Sequence, residues 1–481
     1  MKLRNLVKDL NLLDIEDINV NEIKTNSKLV KKNDLFIAIN GSKYNGHDYI
    51  DEAIKNGASV VIFEEKIEKN LKCNYIMVDN TRIALALISK RYYKDITKKV
   101  KLIGVTGTNG KTTISTLLFN FLEYSGKKCL LIGTNGIMYN NLNYDSINTT
   151  PDILESYEYI YEAYKKGVRY VIMEVSSQAI DMLRVYGFDF NIAVFTNLTH
   201  EHLDYHKTME RYENTKGIFL QSIKKRKGNF VVLNKDDNTY KNYIKRINNK
   251  IYTYGINNNS DYTAININKN LEKGTSFRLI HNYEKQTFRT NLIGEFNIYN
   301  ILATTTVVNN LGYDLEDFKR FLRFYVTISG RMEMLKIANR LFIIDYAHTP
   351  DGVSNVLNSI KEYNKSKLIV VIGCGGNRDH LKRPLIGNIT THLSDFVIFT
   401  SDNPRNENTL SIINDILEGV SKDNYLVIEN RYDAIKKAIE ISNENDCIAI
   451  LGKGNENSQI INNIKYPFND KEVVKKIMKD K

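Results

Sequence analysis

The run GVTGTNGKTT at residues 104–113 follows the apolar stretch 100–105 and precedes the apolar segment ISTLLFNFL at 114–122. A strand, a glycine loop and a helix in that order confine the chain to an α/β plan, with the loop at a strand's carboxyl end and the helix returning across the sheet. Backbone N–H groups of such a loop turn toward a polyphosphate, the helix N-terminus adds positive potential, Lys111 reaches the outer phosphates, and the Thr112 hydroxyl meets magnesium. We therefore read Gly107, Thr108, Asn109, Gly110, Lys111, Thr112 and Thr113 as an ATP cradle. A strict Walker A spacing needs glycine at 105, where Val105 stands, so the loop belongs to a subtype.

At 481 residues the chain exceeds one core and fits about three domains. No window approaches the ~18 apolar residues of a membrane span, and the N-terminus lacks a signal-peptide pattern, so the expected location is the cytoplasm with no membrane partner. Cys73, Cys129, Cys374 and Cys447 lie far apart without metal-ligand spacing, and no disulfide is expected. The net charge of +11 raises the question of nucleic acid, but the basic residues are dispersed. An anionic small-molecule substrate accounts for part of the excess, and no nucleic-acid partner is expected.

The pattern predicts three α/β units. Residues 1–98 carry short apolar runs at 34–39 and 58–63 around a helical stretch at 49–56. Residues 99–328 alternate strands (101–105, 129–132, 170–174, 192–196, 230–233) with helices, as in a parallel sheet covered on both faces. Residues 329–481 repeat the alternation with strands at 341–345, 368–372, 396–399 and 447–451. The Asn-rich segment 241–261 reads as a loop-bearing insertion. Ligands in such sheets collect at the carboxyl ends of strands.

Glu174 ends one strand, at EVSSQ (174–178), where a nucleotide's magnesium would lie. The next strand runs into TNLTHEHLDYH (196–206), dense in His200, Glu201, His202, Asp204 and His206. Three histidines beside two acids also suit zinc, but no cysteine joins them and an ATP site takes magnesium. Asp345 closes an apolar strand, where an acid accepts ribose hydroxyls. Arg405, in the loop SDNPRNE (401–407) after another strand, offers a fork of donors shaped for a carboxylate, and Asn403 can bond an amino or carboxylate group.

In order, GVTGTNGKTT, NTTPD (148–152), EVSSQ, HLDYH (202–206), LNKDD (233–237), GEFNIYN (294–300), GRME (330–333), DYAHTPD (345–351) and GKG (452–454) resemble the motifs of the Mur ligase family over nearly the whole chain. The resemblance implies an α/β fold of three domains: a small N-terminal UDP-sugar-binding domain, a central P-loop parallel-sheet ATP-binding domain and a C-terminal Rossmann-like domain that binds the incoming amino acid. It implies a monomer acting on small molecules, with ATP and magnesium, in cytoplasmic peptidoglycan precursor synthesis. Ser27, Thr149, Thr150, Ser177 and Arg184 match positions that hold the UDP-muramoyl dipeptide, although the usual Asp-Ser-Arg reads Asn26-Ser27-Lys28 here. Lys216 matches a lysine carried as a carbamate formed with carbon dioxide; with Thr112, Glu174 and His202 it would complete the metal ligands, and with Lys111 the catalytic set. His200 stands as a bystander. Asn297, Arg331, Asp345 and His348 match residues meeting the nucleotide.

The DNPR run, Asp402, Asn403, Pro404 and Arg405, is similar to that of diaminopimelate-adding members, with Arg383, Gly452 and Glu456 matching further contacts. Asn455 departs from the histidine usual there. Lysine or lanthionine as the added amino acid, a folylpolyglutamate synthase-like ligase, and a P-loop motor or remodelling ATPase are the alternatives.

Overall fold

The computed structural model describes the chain apart from residues 11–15, 42–43, 67–70, 140–141, 145–147, 271–273, 326–327, 364–365 and 480–481. The fold is α/β, and its residues group into two units. One comprises Met1–Gly104, Ser125–Asn191 and Ser222–Lys224; the other comprises Val105–Tyr124, Ile192–Gln221 and Lys225–Lys481.

In the first unit, strands Ile23–Lys24, Asp34–Ile37, Ala58–Phe63 and Asn74–Met77 pair in that order, all parallel. Phe36, Val61 and Phe63 pack there with Ile50 and Ala53 of the helix Ile50–Asn56. That helix stops at Gly57, where φ is +113° and a Cβ would lie 2.9 Å from the Lys32 backbone, leaving no room for a side chain. The unit also pairs Tyr170–Glu174 with Cys129–Gly133 in parallel, followed by the antiparallel strands Gly136–Tyr139 and Leu142–Tyr144. The strand Lys101–Thr106 begins here, where Lys101 donates to the Arg169 carbonyl at 2.8 Å.

In the second unit, Ile192–Phe195, Phe230–Asn234, Ile251–Gly255 and Tyr262–Asn270 are parallel neighbours. Gly274–His281 and Glu284–Thr290 then extend the sheet antiparallel. The Asn-rich segment expected to bear a loop thus holds the helix Tyr240–Arg246 and a sheet strand. Its alternation Ile251-Tyr-Thr-Tyr suits a strand, and the surrounding asparagines masked that signal. The helix Lys111–Tyr124 is buried nearly all round, every residue from Thr112 to Phe119 as well as Phe121 and Leu122 being enclosed.

The remaining sheet runs Glu333–Ile337, Arg340–Asp345, Cys447–Leu451, Leu368–Ile372, Phe396–Phe399, Tyr425–Val427; only the first pair is antiparallel. Its four inner strands are mostly buried apolar runs because helices cover both faces, while the edge strands Glu333–Ile337 and Tyr425–Val427 are partly exposed. Four carboxyl ends, at Asp345, Ile372, Phe399 and Leu451, therefore open into neighbouring loops. Arg431, wholly buried, ties two of those ends together. Its Nη1 donates to the Ser401 carbonyl at 3.3 Å, its Nη2 to the Leu451 carbonyl at 2.9 Å, and its fork grips the buried carboxylate of Asp470 at 2.8 and 2.9 Å.

Removing one member of a buried pair strands the other charge. Asp470→Ala should cost about 3–5 kcal/mol of stability, and Arg431→Met combined with Asp470→Ala should recover much of it. Denaturant unfolding of the three proteins checks this; a double variant no more stable than Asp470→Ala alone would contradict it.

Candidate active site

The phosphate-loop backbone is fixed by the segment that follows the strand Ile192–Phe195. Thr108 N–H donates to the Asn197 carbonyl at 2.8 Å, Asn109 N–H to Asn197 Oδ1 at 2.9 Å, and Thr196 Oγ1 to the Asn109 carbonyl at 2.6 Å. Gly107 has φ +145°, and a Cβ on it would lie 1.8 Å from Thr196 Oγ1; one on Gly110 would lie 2.5 Å from Asn300 Oδ1. Glycine is required at both positions by approach as well as by angle.

Two amines meet at one carbonyl. Lys111 Nζ donates to the Gly107 and Thr108 carbonyls at 2.9 and 2.8 Å, and Lys216 Nζ donates to the same Gly107 carbonyl at 2.9 Å. Lys216 is 1% exposed and sits 4.6 Å from the Tyr212 ring centroid. Burial drives its pKa well below the ordinary lysine value, and the charge of Lys111 pushes the same way.

His202, in left-handed backbone (φ 58°), lies beside these amines with Glu201. Burial takes its imidazole down to about 4, against the opposing pull of Glu201. Burial alone would raise the Glu201 carboxyl, yet His202, the hydrogen bond and charge of His348, and Lys111 hold it well below the carboxylate range. Glu201 bridges His202 Nε2 at 3.4 Å and His348 Nε2 at 3.0 Å.

The nucleotide candidates beyond residue 290 differ in how they are placed, and only Arg331 bonds the start of the loop's helix directly. Arg331 Nη2 reaches Thr112 Oγ1 at 3.1 Å while its guanidinium lies 4.4 Å from the Tyr346 ring centroid. The two Asp345 oxygens accept the Met332 and Ala347 N–H groups at 2.6 and 2.7 Å, and burial raises that carboxyl. Each oxygen keeps a second lone pair for a hydroxyl. Asn297 donates to the Ile293 carbonyl at 2.7 Å and accepts from Asn300 at 3.0 Å, so its link to the loop runs through Asn300. His200, expected to stand aside, approaches Asp379 at 3.2 Å.

In the first unit, the buried Glu174 accepts from Thr134 N–H and Thr134 Oγ1, both at 3.0 Å, and Thr134 Oγ1 lies 3.2 Å from Thr149 Oγ1. Thr150 Oγ1 donates to the Glu174 carbonyl at 2.8 Å, and Arg184 spans the Thr150 carbonyl at 3.1 Å and Asp152 at 2.9 Å. Ser177 is buried in the same turn of chain. Ser27 donates to Glu52, away from this group in the small parallel sheet.

The expected amino-acid residues gather at the carboxyl ends of the last sheet. Asn403 donates to Glu456 at 2.8 Å and accepts from Lys453 at 3.1 Å, and Lys453, fully buried, pairs with Glu456 at 2.7 Å. A Cβ on Gly452 would lie 2.6 Å from Asp402 Oδ2. Arg383 is committed to Glu407 at 2.9 Å and Asp415 at 2.7 Å, which makes it a brace under the loop. Arg405 differs: its Nη1 donates to the Gly376 and Asn403 carbonyls at 2.7 and 3.4 Å, and among the described residues it forms no ion pair. Burial, with the charge of Arg378, lowers its pKa.

Three family models match the sequence: Mur ligase family, catalytic domain over residues 19–93; Mur ligase middle domain over 105–308; and Mur ligase, glutamate ligase domain over 330–454. The UDP-N-acetylmuramoyl-L-alanyl-D-glutamate--2,6-diaminopimelate ligase of Clostridium tetani is 41% identical, with all of both chains covered. The ligase of the same description from Clostridium botulinum is 40% identical over the same full coverage. A solved structure of a UDP-N-acetylmuramoyl-L-alanyl-D-glutamate--2,6-diaminopimelate ligase superposes with a TM-score of 0.70 at 30% identity, covering 98% of each chain. The chain belongs to the Mur ligase family.

For this Mur ligase, several partners of the candidate residues carried no assigned role in the motif reading: Thr134 and Tyr212 lie outside the quoted motifs, and Thr196, Asn197 and Lys453 lie within them but act through hydroxyl, amide or buried amine contacts. Thr134 and Thr196 carry the one available signal, a polar residue just past a strand's carboxyl end. Gly107→Ala should weaken ATP binding more than tenfold, about 1.4 kcal/mol, while Gly126→Ala, with open space around it, should leave it unchanged. Nucleotide titration distinguishes them, and equal affinities would refute the steric account.

Proposed function

We propose that this Mur ligase joins meso-2,6-diaminopimelate to the D-glutamate of UDP-N-acetylmuramoyl-L-alanyl-D-glutamate at the expense of ATP, in the cytoplasmic phase of peptidoglycan precursor synthesis and as a monomer. The domain division is 1–98 for the UDP-sugar, 99–328 for ATP and 329–481 for the amino acid. The observation that carries the choice of amino acid is Arg405, a largely enclosed guanidinium with no carboxylate partner among the described residues. Diaminopimelate brings a distal carboxylate to it, and lysine does not.

The reaction has two steps. The side-chain carboxylate of D-glutamate attacks the γ-phosphorus and the bond to the β–γ bridging oxygen breaks, giving ADP and an acyl phosphate. The amine then attacks the acyl carbon, phosphate departs with the carbon–oxygen electron pair, and the amine proton is lost. Positioning and electrostatics carry most of such catalysis. Lys111 and the N-terminus of the helix Lys111–Tyr124 face the charge that builds on the transferred group.

Within the second unit a hydroxyl at Thr112, an imidazole at His202 kept neutral by its surroundings, and Lys216 offer ligands to a hard cation, and the family resemblance adds the carboxylate of Glu174. Magnesium there would neutralise phosphate charge. Lys216 joins as a carbamate: its neutral nitrogen adds to the carbon of carbon dioxide and releases a proton, chemistry closed to an ammonium ion. Its buried, depressed amine supports this. Among the described residues no helix is long and apolar enough to cross a membrane.

Phosphate release should require the UDP-muramoyl dipeptide and an amino acid together, with meso-diaminopimelate preferred over lysine, ornithine and lanthionine. Release with ATP alone would favour a motor. Arg405→Lys should reduce kcat/KM for diaminopimelate about tenfold to a hundredfold, since a buried carboxylate loses its bidentate partner, and change the lysine reaction far less. Equal losses on both would undo the pocket assignment.

A further inference from the structure

The loop that carries Arg405 does not hold its shape alone. Arg405 has φ 53°, a left-handed conformation that costs a non-glycine residue about 1–2 kcal/mol and persists only where neighbours enforce it. The enforcing neighbour is the antiparallel hairpin of Ser458–Ile461 and Ile464–Pro467, closed by Asn462 and Asn463, both at positive φ as a tight two-residue turn requires. Arg405 N–H donates to the Ile460 carbonyl at 3.0 Å, and Asn462 N–H donates to the Arg405 carbonyl at 2.6 Å, so the strained residue is bonded on both sides. Ile460 N–H donates to Asn403 Oδ1 at 2.9 Å. Gln459, 8% exposed, spends both amide protons on this loop, donating to Ser401 Oγ at 2.7 Å and to the Asp402 carbonyl at 2.8 Å.

The hairpin contributes almost nothing to a core. All four residues of its outer strand are exposed, Ile464 at 56% and Tyr466 at 47%. A lone two-stranded hairpin is marginal in water, so its order depends on the bonds it makes to residues 401–405. We propose that this hairpin is a specificity-determining element of the ligase, and that Gln459 is the positioning residue through which it sets Asp402, Asn403 and Arg405 in the geometry that receives the amino acid. This rests on reading that loop as the diaminopimelate site. Gln459 touches no substrate; it acts by satisfying the Asp402 carbonyl and Ser401 hydroxyl, which leaves Asn403 and Arg405 a single arrangement.

Gln459→Glu keeps the shape and removes both donors, and Gln459→Ala removes the side chain. Each should raise KM for diaminopimelate about tenfold, the effect of one buried acceptor left unpaired. KM for ATP and for the UDP-muramoyl dipeptide should stay within twofold, while the thermal midpoint falls modestly because buried acceptors are left unpaired. The preference for diaminopimelate over lysine should fall by the same factor. Ile464→Lys, on the exposed strand, should change none of these. In the unaltered enzyme, hydrogen exchange at residues 458–461 should slow on adding diaminopimelate without ATP, a reading independent of how the variants fold. An unchanged KM for the amino acid, a parallel rise in all three KM values, or exchange indifferent to the amino acid would each overturn the proposal. If the enzyme instead uses another amino acid, the diaminopimelate reading fails, while the effect of Gln459 on that amino acid's KM still decides this one.

Discussion

The carbonyl of Gly107 accepts from two lysines, and the nucleotide end of the molecule is organised around that contact. A carbonyl with two lone pairs satisfies two donors, but two ammonium groups at one oxygen repel, and the nearby Glu201 offsets that repulsion only in part. The lower-energy arrangement keeps the deeper amine uncharged, and Lys216 is the deeper one. An anion arriving near Lys111, or a carbamate formed on Lys216, relieves the same repulsion. One backbone oxygen thus links the chemical state of Lys216 to the occupancy of the phosphate cradle.

That contact exists only because the loop is held open by residues outside it. Thr196 and Asn197 take the N–H and carbonyl groups of Thr108 and Asn109, and Asn300 closes against Gly110. Asn109 also donates to Asp351 at 2.9 Å, Arg331 reaches Thr112, and His348 reaches Glu201. These polar bridges join the phosphate loop to the segment 331–351 through groups that bear charge or accept it, whereas the cores on either side are apolar. Polar contacts of this kind exchange with water at small net cost, so they fix the geometry of the loop more than they stabilise the fold.

The alternation of apolar runs was legible because parallel strands covered on both faces must be continuously apolar. The strands read at 101–105, 170–174, 368–372, 396–399 and 447–451 stand in the structure to within a residue. The antiparallel strands from Tyr262 to Thr290 escaped notice because their half-exposed faces mix lysine, asparagine and glutamate into the pattern. At the site, the position of some candidates was legible in the sequence: Lys111 stands after the glycines, and Asp345 and Arg405 stand at or after the ends of strands. The bracing roles were not. Arg383 reads as a ligand by position, yet Glu407 and Asp415 occupy it, and no spacing rule announces that two carboxylates will converge on one guanidinium. Gln459 and the Asn462-Asn463 turn carry a hairpin signal, but only the fold says which loop the hairpin grips.

The charge balance of the last pocket argues for a ligand with two ionic ends. Lys453 and Glu456 neutralise each other, with Asn403 between them. Arg431 and Asp470 cancel below, and Arg383 is matched by Glu407 and Asp415. Among the described residues Arg405 hydrogen-bonds only carbonyl oxygens; Arg378 nearby adds positive charge, and the charges of Asp402 and Glu456 oppose it in part. An incoming amino acid whose far end is only an ammonium would add a third positive charge to that corner. One whose far end carries a carboxylate beside the ammonium meets Arg405 with the first and leaves the second for Asp402. At an effective dielectric near 20, a charge pair at ~4 Å is worth about 4 kcal/mol before desolvation, and the unwanted pair costs a similar amount. Even after desolvation removes most of that gap, the sign is fixed by the count of charges already spent within the fold.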